Sequence, residues 1–463
     1  MNPFKYSFDN KRYHTLNYYY QNKFKTRVSK ISLDANFTCP NIDGKVGYGG
    51  CIYCKQAKNT KSLLEQFNDQ KIIIDNKWPN SKYIGFFQSN TNTYDSLPNL
   101  REKYELILNQ DNVIGLSIST RPDSISNELL DYLEYLNKRT FLTIELGLQT
   151  IHEETAKLIN RCHSLDCFNK MIIELRKRNI NVVVHIINGL PYETKEMMLE
   201  TVKYLSKLDI QGLKIHMLHI VKDTPLEKLY NKDKFHILTR EEYVNIVCDQ
   251  LELLRENIVI HRLTGDPIKD DLIKPLWVLK KVSVLNDIDK ELVRRNTYQD
   301  FNKSILNKFR QILINHLNYN DLVVESNIGN GKDTLFLSNL VDKGHVYGFD
   351  IKDEALSNTK LLLDENNKKN YTLFKISNEY IYKTLSHLDN KISAIIFNKI
   401  NIKDIKNSLK LLNKKGIILI LINNQNKEEI SINKYLKSLS NEYIIDYYSI
   451  DKESLYLIKI KRP

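Results

Sequence analysis

The stretch Cys39-Pro-Asn-Ile-Asp-Gly-Lys-Val-Gly-Tyr-Gly-Gly-Cys51-Ile-Tyr-Cys54 decides how this chain is read. It sets three cysteines at the spacing Cys39-x11-Cys51-x2-Cys54, just after the strand-like residues 28–36. Three thiolates can hold three irons of a cubane [4Fe–4S] cluster and leave the fourth iron open. An open iron can chelate the amino and carboxylate groups of S-adenosylmethionine (SAM). The rival readings are a structural zinc site, which normally closes four ligands, and unligated thiols. No fourth cysteine lies nearby.

The wider bounds agree with a cytosolic enzyme. A chain of 463 residues has room for two or three domains, each burying a core. It holds six cysteines, three of them in one cluster, which is not a disulfide scaffold. The start, Met1-Asn-Pro-Phe-Lys-Tyr, has no apolar h-region of a signal peptide. No apolar run reaches membrane-spanning length, and residues 417–422 read as a buried strand. The expectation is a cytoplasmic protein with no membrane partner. Lys plus Arg total 68 against 56 Asp plus Glu, a net +12. A basic surplus favours a nucleic-acid partner, although Lys, Asn and Ile are abundant throughout.

Outward from the cysteines, strand and helix patterns alternate. Strands are expected at 83–88, 113–118, 141–148, 181–187, 212–218 and 258–263, with helices at 127–136, 164–178, 195–208 and 240–256. Such alternation implies a parallel sheet, and in an α/β barrel chemistry collects at the C-terminal strand ends. The cysteine loop, Thr120-Arg121-Pro122-Asp123, Gln149, Asn188-Gly189-Leu190-Pro191 and His219 all fall on that rim.

Tyr53, just before the last cysteine, resembles the aromatic residue of the radical SAM motif. The words Asp9-Asn-Lys-Arg-Tyr-His14-Thr-Leu-Asn17, Gln88 to Thr93, Ser119-Thr-Arg-Pro-Asp123, Glu145-Leu-Gly-Leu-Gln149, Ile159-Asn-Arg161, His163, Gly189-Leu-Pro191, Lys214-Ile-His216-Met-Leu-His219 and His261-Arg-Leu-Thr-Gly-Asp266 extend the likeness. Together with the long first cysteine gap they resemble the YhcC/YtqA (MnmL-like) radical SAM family over about residues 4–298. The resemblance implies a partial TIM barrel, a cluster on Cys39, Cys51 and Cys54, and SAM across the strand tops. Cys162 stands where that family usually has glycine.

Single residues keep two readings. Glu145 either hydrogen-bonds the ribose or amine of SAM or pairs with Arg161; both are candidate cofactor residues. Gly189 and Pro191 either admit backbone close to the adenine or make a plain turn. His185, His216, His219 and His261 lie in strand-like runs, where a lone histidine is usually a satisfied core residue. Four of them make a substrate-facing imidazole plausible, with His216, His219 and His261 as catalytic candidates. Cys162, Cys167 and Cys248 either ligate a second cluster or are buried thiols.

A second domain is expected at 299–463, after a polar linker at 289–298 and opening on a helix at 301–317. Leu322-Val-Val-Glu325-Ser-Asn-Ile-Gly329-Asn-Gly331-Lys-Asp333 reads as strand, glycine turn and helix start, and Asp350 ends the next strand. Glycines there admit close approach of a nucleotide, and the acid can accept ribose hydroxyls. This half resembles the YtqB (MnmM-like) class I methyltransferases. The likeness places Glu325, Gly329, Gly331 and Asp350 on SAM and implies a Rossmann-like fold. The match fades beyond residue 351. The glycine-rich segments of that family are replaced here by Lys399-Ile-Asn-Ile and Asn423-Asn-Gln-Asn-Lys427, and an expected histidine is Asn378.

The two resemblances imply a fused tRNA-modifying enzyme. The barrel would convert 5-carboxymethylaminomethyl-uridine at the wobble position to 5-aminomethyl-uridine. The second half would perform, or derive from, N-methylation to 5-methylaminomethyl-uridine. The implied partners are the tRNA anticodon loop, whose splayed bases suit stacking and edge contacts, and an electron donor such as flavodoxin or ferredoxin. The alternative is a radical SAM enzyme of another substrate with a non-catalytic, tRNA-docking second half.

Overall fold

The computed structural model describes residues 2–55, 59–303, 305–398, 402–423, 435–436, 438, 443–450 and 453–460. The chain divides into two compact units, Met1–Asp300 and Phe301–Pro463. No helix among the described residues is long and apolar enough to cross a membrane.

The first unit is built on β1 (Val28–Leu33), β2 (Lys82–Phe87), β3 (Val113–Thr120), β4 (Phe141–Gln149), β5 (Asn181–Asn188), β6 (Gly212–Met217), β7 (Ile220–Val221), β8 (Val259–Arg262) and β9 (Leu272–Lys274). Seven of these form one parallel sheet in the order β1-β2-β3-β4-β5-β6-β8, a curled, partial barrel; β7 and β9 make a small antiparallel pair. Serine or threonine starts the crossover helices. The hydroxyls of Ser126, Ser164, Thr194 and Thr239 accept the amides of Leu129, Cys167, Met197 and Glu242 and satisfy orphan donors. Alternate strand residues pack outward on those helices: Ile118, Ile144, Leu146, Val184, Ile186 and Ile215 are all buried in one core. Their neighbours of opposite parity, among them Ser117, Glu145, His185 and Lys214, face the lumen and meet there. At the β8 edge, Thr15 bridges Ile260 in parallel and the Ile260 amide donates to the His14 carbonyl at 2.7 Å, which covers the edge.

The stretch 289–298 is not a linker. The helix Lys281–Arg294 runs through it. Arg295 then bonds Asp249 at 2.5 Å, Glu291 at 2.7 Å and Glu252 at 3.2 Å. The buried Gln299 amide donates to the carbonyls of Arg255 and Ile258. The polarity that reads as a solvated spacer is used on the first unit's own charges.

The second unit has β10 (Leu322–Ser326), β11 (His345–Asp350), β12 (Tyr371–Lys375), β13 (Ile392–Phe397), β14 (Leu412–Asn423), β15 (Tyr443–Ile450) and β16 (Glu453–Ile460). Their order is β12-β11-β10-β13-β14-β16-β15, parallel except for the antiparallel pairings of β16 with β14 and β15. This is the doubly wound methyltransferase-like sheet, with its order reversing at β10. The helix expected at 301–317 is a short 3₁₀ turn, Phe301–Lys303, and the helix Ile305–His316. Residues 399–401 and 424–427, where the sequence departs from the methyltransferase pattern, lie outside the described residues.

Candidate active site

The cysteine loop leaves the C-terminal end of β1 and folds on itself through left-handed glycines, Gly44 at φ +96° and Gly49 and Gly50 at +77°. It is pinned to the turn after the helix Glu153–Leu158. The Asn41 side chain donates to the Asn160 carbonyl at 2.6 Å, and the Asn160 side chain donates to the carbonyls of Gly50 at 2.7 Å and Tyr48 at 3.1 Å. Cys39 and Cys51 are half-buried and Cys54 is exposed. The hydrogen bond between Cys51 and Cys54 makes them one titrating pair: it lowers Cys51, with help from Tyr53, Arg121 and Asn41, and raises Cys54 well above the ordinary thiol range. Such a pair gives up its first proton more readily than a lone thiol, and the thiolate is the form that ligates iron. Among the described residues no three His, Cys, Asp or Glu side chains converge as they would around a single metal ion. Cys162 is exposed, Cys167 half-buried and Cys248 buried, so the expectation of three buried thiols holds only for Cys248.

All three loop cysteines line one cavity of about 540 Å³, together with Tyr53, Gln88, Arg121, Glu145, Arg161, Gln149, His185, His216, His219, Arg262 and Asp266. The strand tops thus bring the residues of β1 to β8 into one site. Gly189 and Pro191 do not line it. Gly189 takes φ +81° at the end of β5, and Leu238 fills the space beside its Cα. His261 lies outside the cavity lining as well, against Gly212 at the base of β6.

Glu145 is fully buried, and its partners are not Arg161. Oε1 accepts from Ser117 at 2.6 Å and Lys30 at 2.7 Å; Oε2 bonds His185 at 2.6 Å and the Lys214 ammonium. Burial opposes its charge, yet Lys214, Lys30 and the His185 hydrogen bond hold the carboxyl well below the ordinary range. Burial and the Lys30 charge press Lys214 down to about 7 although Glu145 supports it. Both ammoniums sit over the Phe86 ring, at 4.2 Å for Lys214 and 4.7 Å for Lys30.

Arg161 spends its donors on the protein itself. It bonds the carbonyls of Thr150 at 2.6 Å, Leu148 at 2.9 Å and His163 at 2.9 Å, and reaches Glu153 at 3.4 Å. Arg121 in turn donates to the Arg161 carbonyl at 2.8 Å and grips Asp123 with two bonds. These arginines fix the loops that carry the cavity rim.

Burial lowers His185 and His219 to about 4, and holds His216 and His261 well below the ordinary range. Nε2 of His216 and of His219, and Nδ1 of His261, have no hydrogen-bond partner among the described residues. Lys30, Ser117, Lys214 and Arg262 were not singled out from the sequence. One signal was present: Lys214, between apolar residues in Gly212-Leu-Lys-Ile-His-Met217, requires a buried counter-charge.

In the second unit Glu325, next to last in β10, is fully buried; among the described residues its only polar neighbour is the Thr334 hydroxyl, too poorly aligned for a full hydrogen bond, and burial pushes the carboxyl up to about 8 although Thr334 opposes this. Ser326 and Thr359 beside the glycine turn carry buried hydroxyls with no partner among the described residues. Gly329 and Gly331 take φ +59° and +77°, and a Cβ on Gly331 would come 2.8 Å from the Thr359 backbone. Asp350 accepts the amides of Lys352 at 3.0 Å and Gly329 at 3.2 Å, so it shapes the turn as well as facing it.

The chain matches the Radical SAM superfamily over residues 47–205, the Radical_SAM C-terminal domain over 210–294, and the family described as "Putative rRNA methylase" over 346–400. It is 48% identical over 305 residues to YtqA of Bacillus subtilis (strain 168), covering 64% of this chain and 95% of that protein. It is 26% identical over 156 residues to the tRNA uridine(34) acetyltransferase of Methanocaldococcus infernus, covering 33% of this chain and 29% of that one. An rRNA methylase structure from Streptococcus thermophilus overlays at TM-score 0.31 and 23% identity, covering 35% of this chain and 98% of that chain. With its cysteine loop at the mouth of a curled parallel barrel, the chain belongs to the YhcC/YtqA family of radical SAM enzymes, here continued by a methyltransferase-like domain.

Proposed function

We propose that the barrel acts on tRNA at the wobble uridine, converting 5-carboxymethylaminomethyl-uridine to 5-aminomethyl-uridine. The observation that carries this reading is the likeness of the barrel to a relative named for tRNA uridine 34, joined in one chain to an RNA-methylase-type half. Radical SAM membership implies a [4Fe–4S] cluster and SAM. Cys39, Cys51 and Cys54 would hold the cluster, since all three face one cavity. Bound together, the cluster and SAM supply a carbon-centred radical able to take a hydrogen atom from a C–H bond.

The chain's own residues do the rest. Arg121 and Arg161 lock the loops over the cavity, and Tyr53 closes its wall beside the thiols. His216 and His219 line the cavity as neutral imidazoles whose buried Nε2 has no partner among the described residues, and either would take a proton from the substrate amine or return one. The second unit would hold SAM at Glu325, Gly329, Gly331 and Asp350. The unpartnered Glu325 carboxyl fits the cationic amine of SAM, which would restore its charge. Its substrate would be the amine that the first unit produces, so one chain carries two consecutive steps.

Nucleoside analysis of tRNA from a deletion strain tests the reading. Accumulated 5-carboxymethylaminomethyl-uridine supports it. An unchanged nucleoside profile sinks it and leaves a radical SAM enzyme of another substrate.

A further inference from the structure

The barrel lumen holds more cations than carboxylates. Lys30 and Lys214 share Glu145. Arg262 and Lys281 share Asp266, the first at 3.2 Å and the second at 2.7 Å. Arg262 and Lys214 are register partners across β8 and β6, so two cationic side chains stand side by side on adjacent strands. The histidines around them, His185 and His216, are kept neutral by burial and by these same charges. His216 and Arg262 line the cavity, and Nε2 of His216 is buried without a partner. Lys281 can hold Asp266 alone, which frees the Arg262 fork. Arg262 and Lys281 have one carboxylate between them, so this pair is one counter-charge short.

We propose that Arg262, with Lys214 behind it and His216 beside it, binds a carboxylate carried by the substrate. This rests on the reading of the substrate as a wobble uridine whose side chain ends in a carboxymethyl group. The guanidinium can take such a carboxylate through two parallel hydrogen bonds, and its partial burial strengthens them. The carboxylate then sets the side chain's depth in the barrel, and a side chain that has lost it loses its anchor. The arrangement selects substrate over product.

The test uses the full chain, reconstituted anaerobically and left without reductant so that no turnover occurs. Affinity is measured for two anticodon stem-loops, one with 5-carboxymethylaminomethyl-uridine and one with 5-aminomethyl-uridine. Both carry the same phosphates, and any binding to the second unit is common to wild type and variant, so the change in the ratio of the two affinities on replacing Arg262 reports the carboxylate contact. Wild type is expected to prefer the first by about tenfold or more, the scale of a charge-assisted pair. In Arg262→Gln the two affinities converge to within about twofold, and Arg262→Lys keeps part of the preference. Iron content per chain confirms that each variant keeps its cluster site. A full preference retained in Arg262→Gln overturns the inference. So does a wild type with no preference. If that wild type still converts the carboxymethyl side chain once reductant is added, the substrate reading stands; if it does not, both fall.

Discussion

The Asn41 side chain donates to the Asn160 carbonyl at 2.6 Å across a sequence gap of 119 residues. Asn160 answers with its own side chain on the carbonyls of Gly50 and Tyr48, and the Ile52 amide meets the Ile159 carbonyl at 3.1 Å. The long gap between Cys39 and Cys51 is therefore a folded turn, held against the loop after β4. The Arg161 carbonyl, one residue on, accepts from Arg121 after β3. Three strand tops are thus tied to one cysteine loop.

Replacing Asn41 with Ala removes the donor to Asn160 and the contact to the Cys51 sulfur at 3.7 Å. The expected cost is about 1–3 kcal/mol of loop stability. Iron retained after anaerobic reconstitution and gel filtration should fall well below wild type, while the thermal midpoint moves little. Iron content equal to wild type would show that the loop holds its shape without this tie.

Wild type reconstituted anaerobically should carry about four irons per chain and cleave SAM reductively to 5′-deoxyadenosine. Replacing Cys39, Cys51 and Cys54 together with Ala should abolish both. Active protein that carries zinc in place of iron would contradict the cluster assignment.

Cys162 takes φ +60°, a conformation that favours glycine, and its sulfur occupies space that a side chain on Gly47 of the cysteine loop would need. Cys162→Gly removes a left-handed strain of about 1–2 kcal/mol and returns part of it as chain entropy. The unfolding midpoint in urea should stay level or rise, with cluster content unchanged. A clear loss of iron would give the Cys162 thiol a place at the cluster.

Much of this was legible in the sequence. Strand–helix alternation placed the cysteine loop, Arg121, Gln149 and His219 on one rim, because period-2 strands and short capped helices leave the barrel little choice. The partners of Glu145 were not legible. They come from β1, β3, β5 and β6, and only the curl of the sheet brings those positions together. Arg161 looks like a ligand in one dimension because its carbonyl partners carry no side-chain signal. Residues 289–298 read as a spacer because two of the three acids that pair with Arg295, Asp249 and Glu252, lie far earlier in the chain, on the helix Arg240–Leu253.

Glu145→Gln should leave the ammoniums of Lys30 and Lys214 buried without a counter-charge, at a cost of about 3–5 kcal/mol. Urea unfolding of the whole chain measures it. Adding Lys214→Met should recover part of the loss, since one buried cation is then gone; strict additivity of the two would mean that the pair is not coupled.

Acid should destabilise the fold before the carboxylates titrate. His185 and His219 are lowered to about 4 by burial, against roughly 6.5 in an unfolded chain. As pH falls through that window the unfolded state binds protons first, so stability is lost between about 6.5 and 4. Glu145, held well below the ordinary range, adds its own loss only at lower pH. The urea midpoint should drop between pH 7 and pH 5. His219→Gln, which removes a titrating ring whose Nε2 has no partner, should flatten that slope. A slope unchanged in the variant would assign the acid sensitivity elsewhere.

The last prediction concerns the second unit. Its sheet places Glu325, the glycine turn and Asp350 where strand order reverses, at the C-terminal ends of β10 and β11. A full chain lacking Cys39, Cys51 and Cys54 isolates that site, and titration with S-adenosylhomocysteine should then report one binding event per chain. Gly331→Val should abolish it, because a side chain there meets the Thr359 backbone and must hold φ +77°. Glu325→Gln keeps the shape of a carboxyl that is largely protonated near neutral pH, so the fold should survive. It cannot accept the charge that a ligand ammonium requires, so affinity should fall about tenfold or more. Methyl transfer to tRNA bearing 5-aminomethyl-uridine is expected to be slow, because the sequence has lost the glycine-rich segments after Asn398 and Ile422. Fast transfer that disappears in Asp350→Ala would show that those losses leave the accepting pocket intact. Binding that persists in Gly331→Val would remove the glycine turn from the cofactor site altogether.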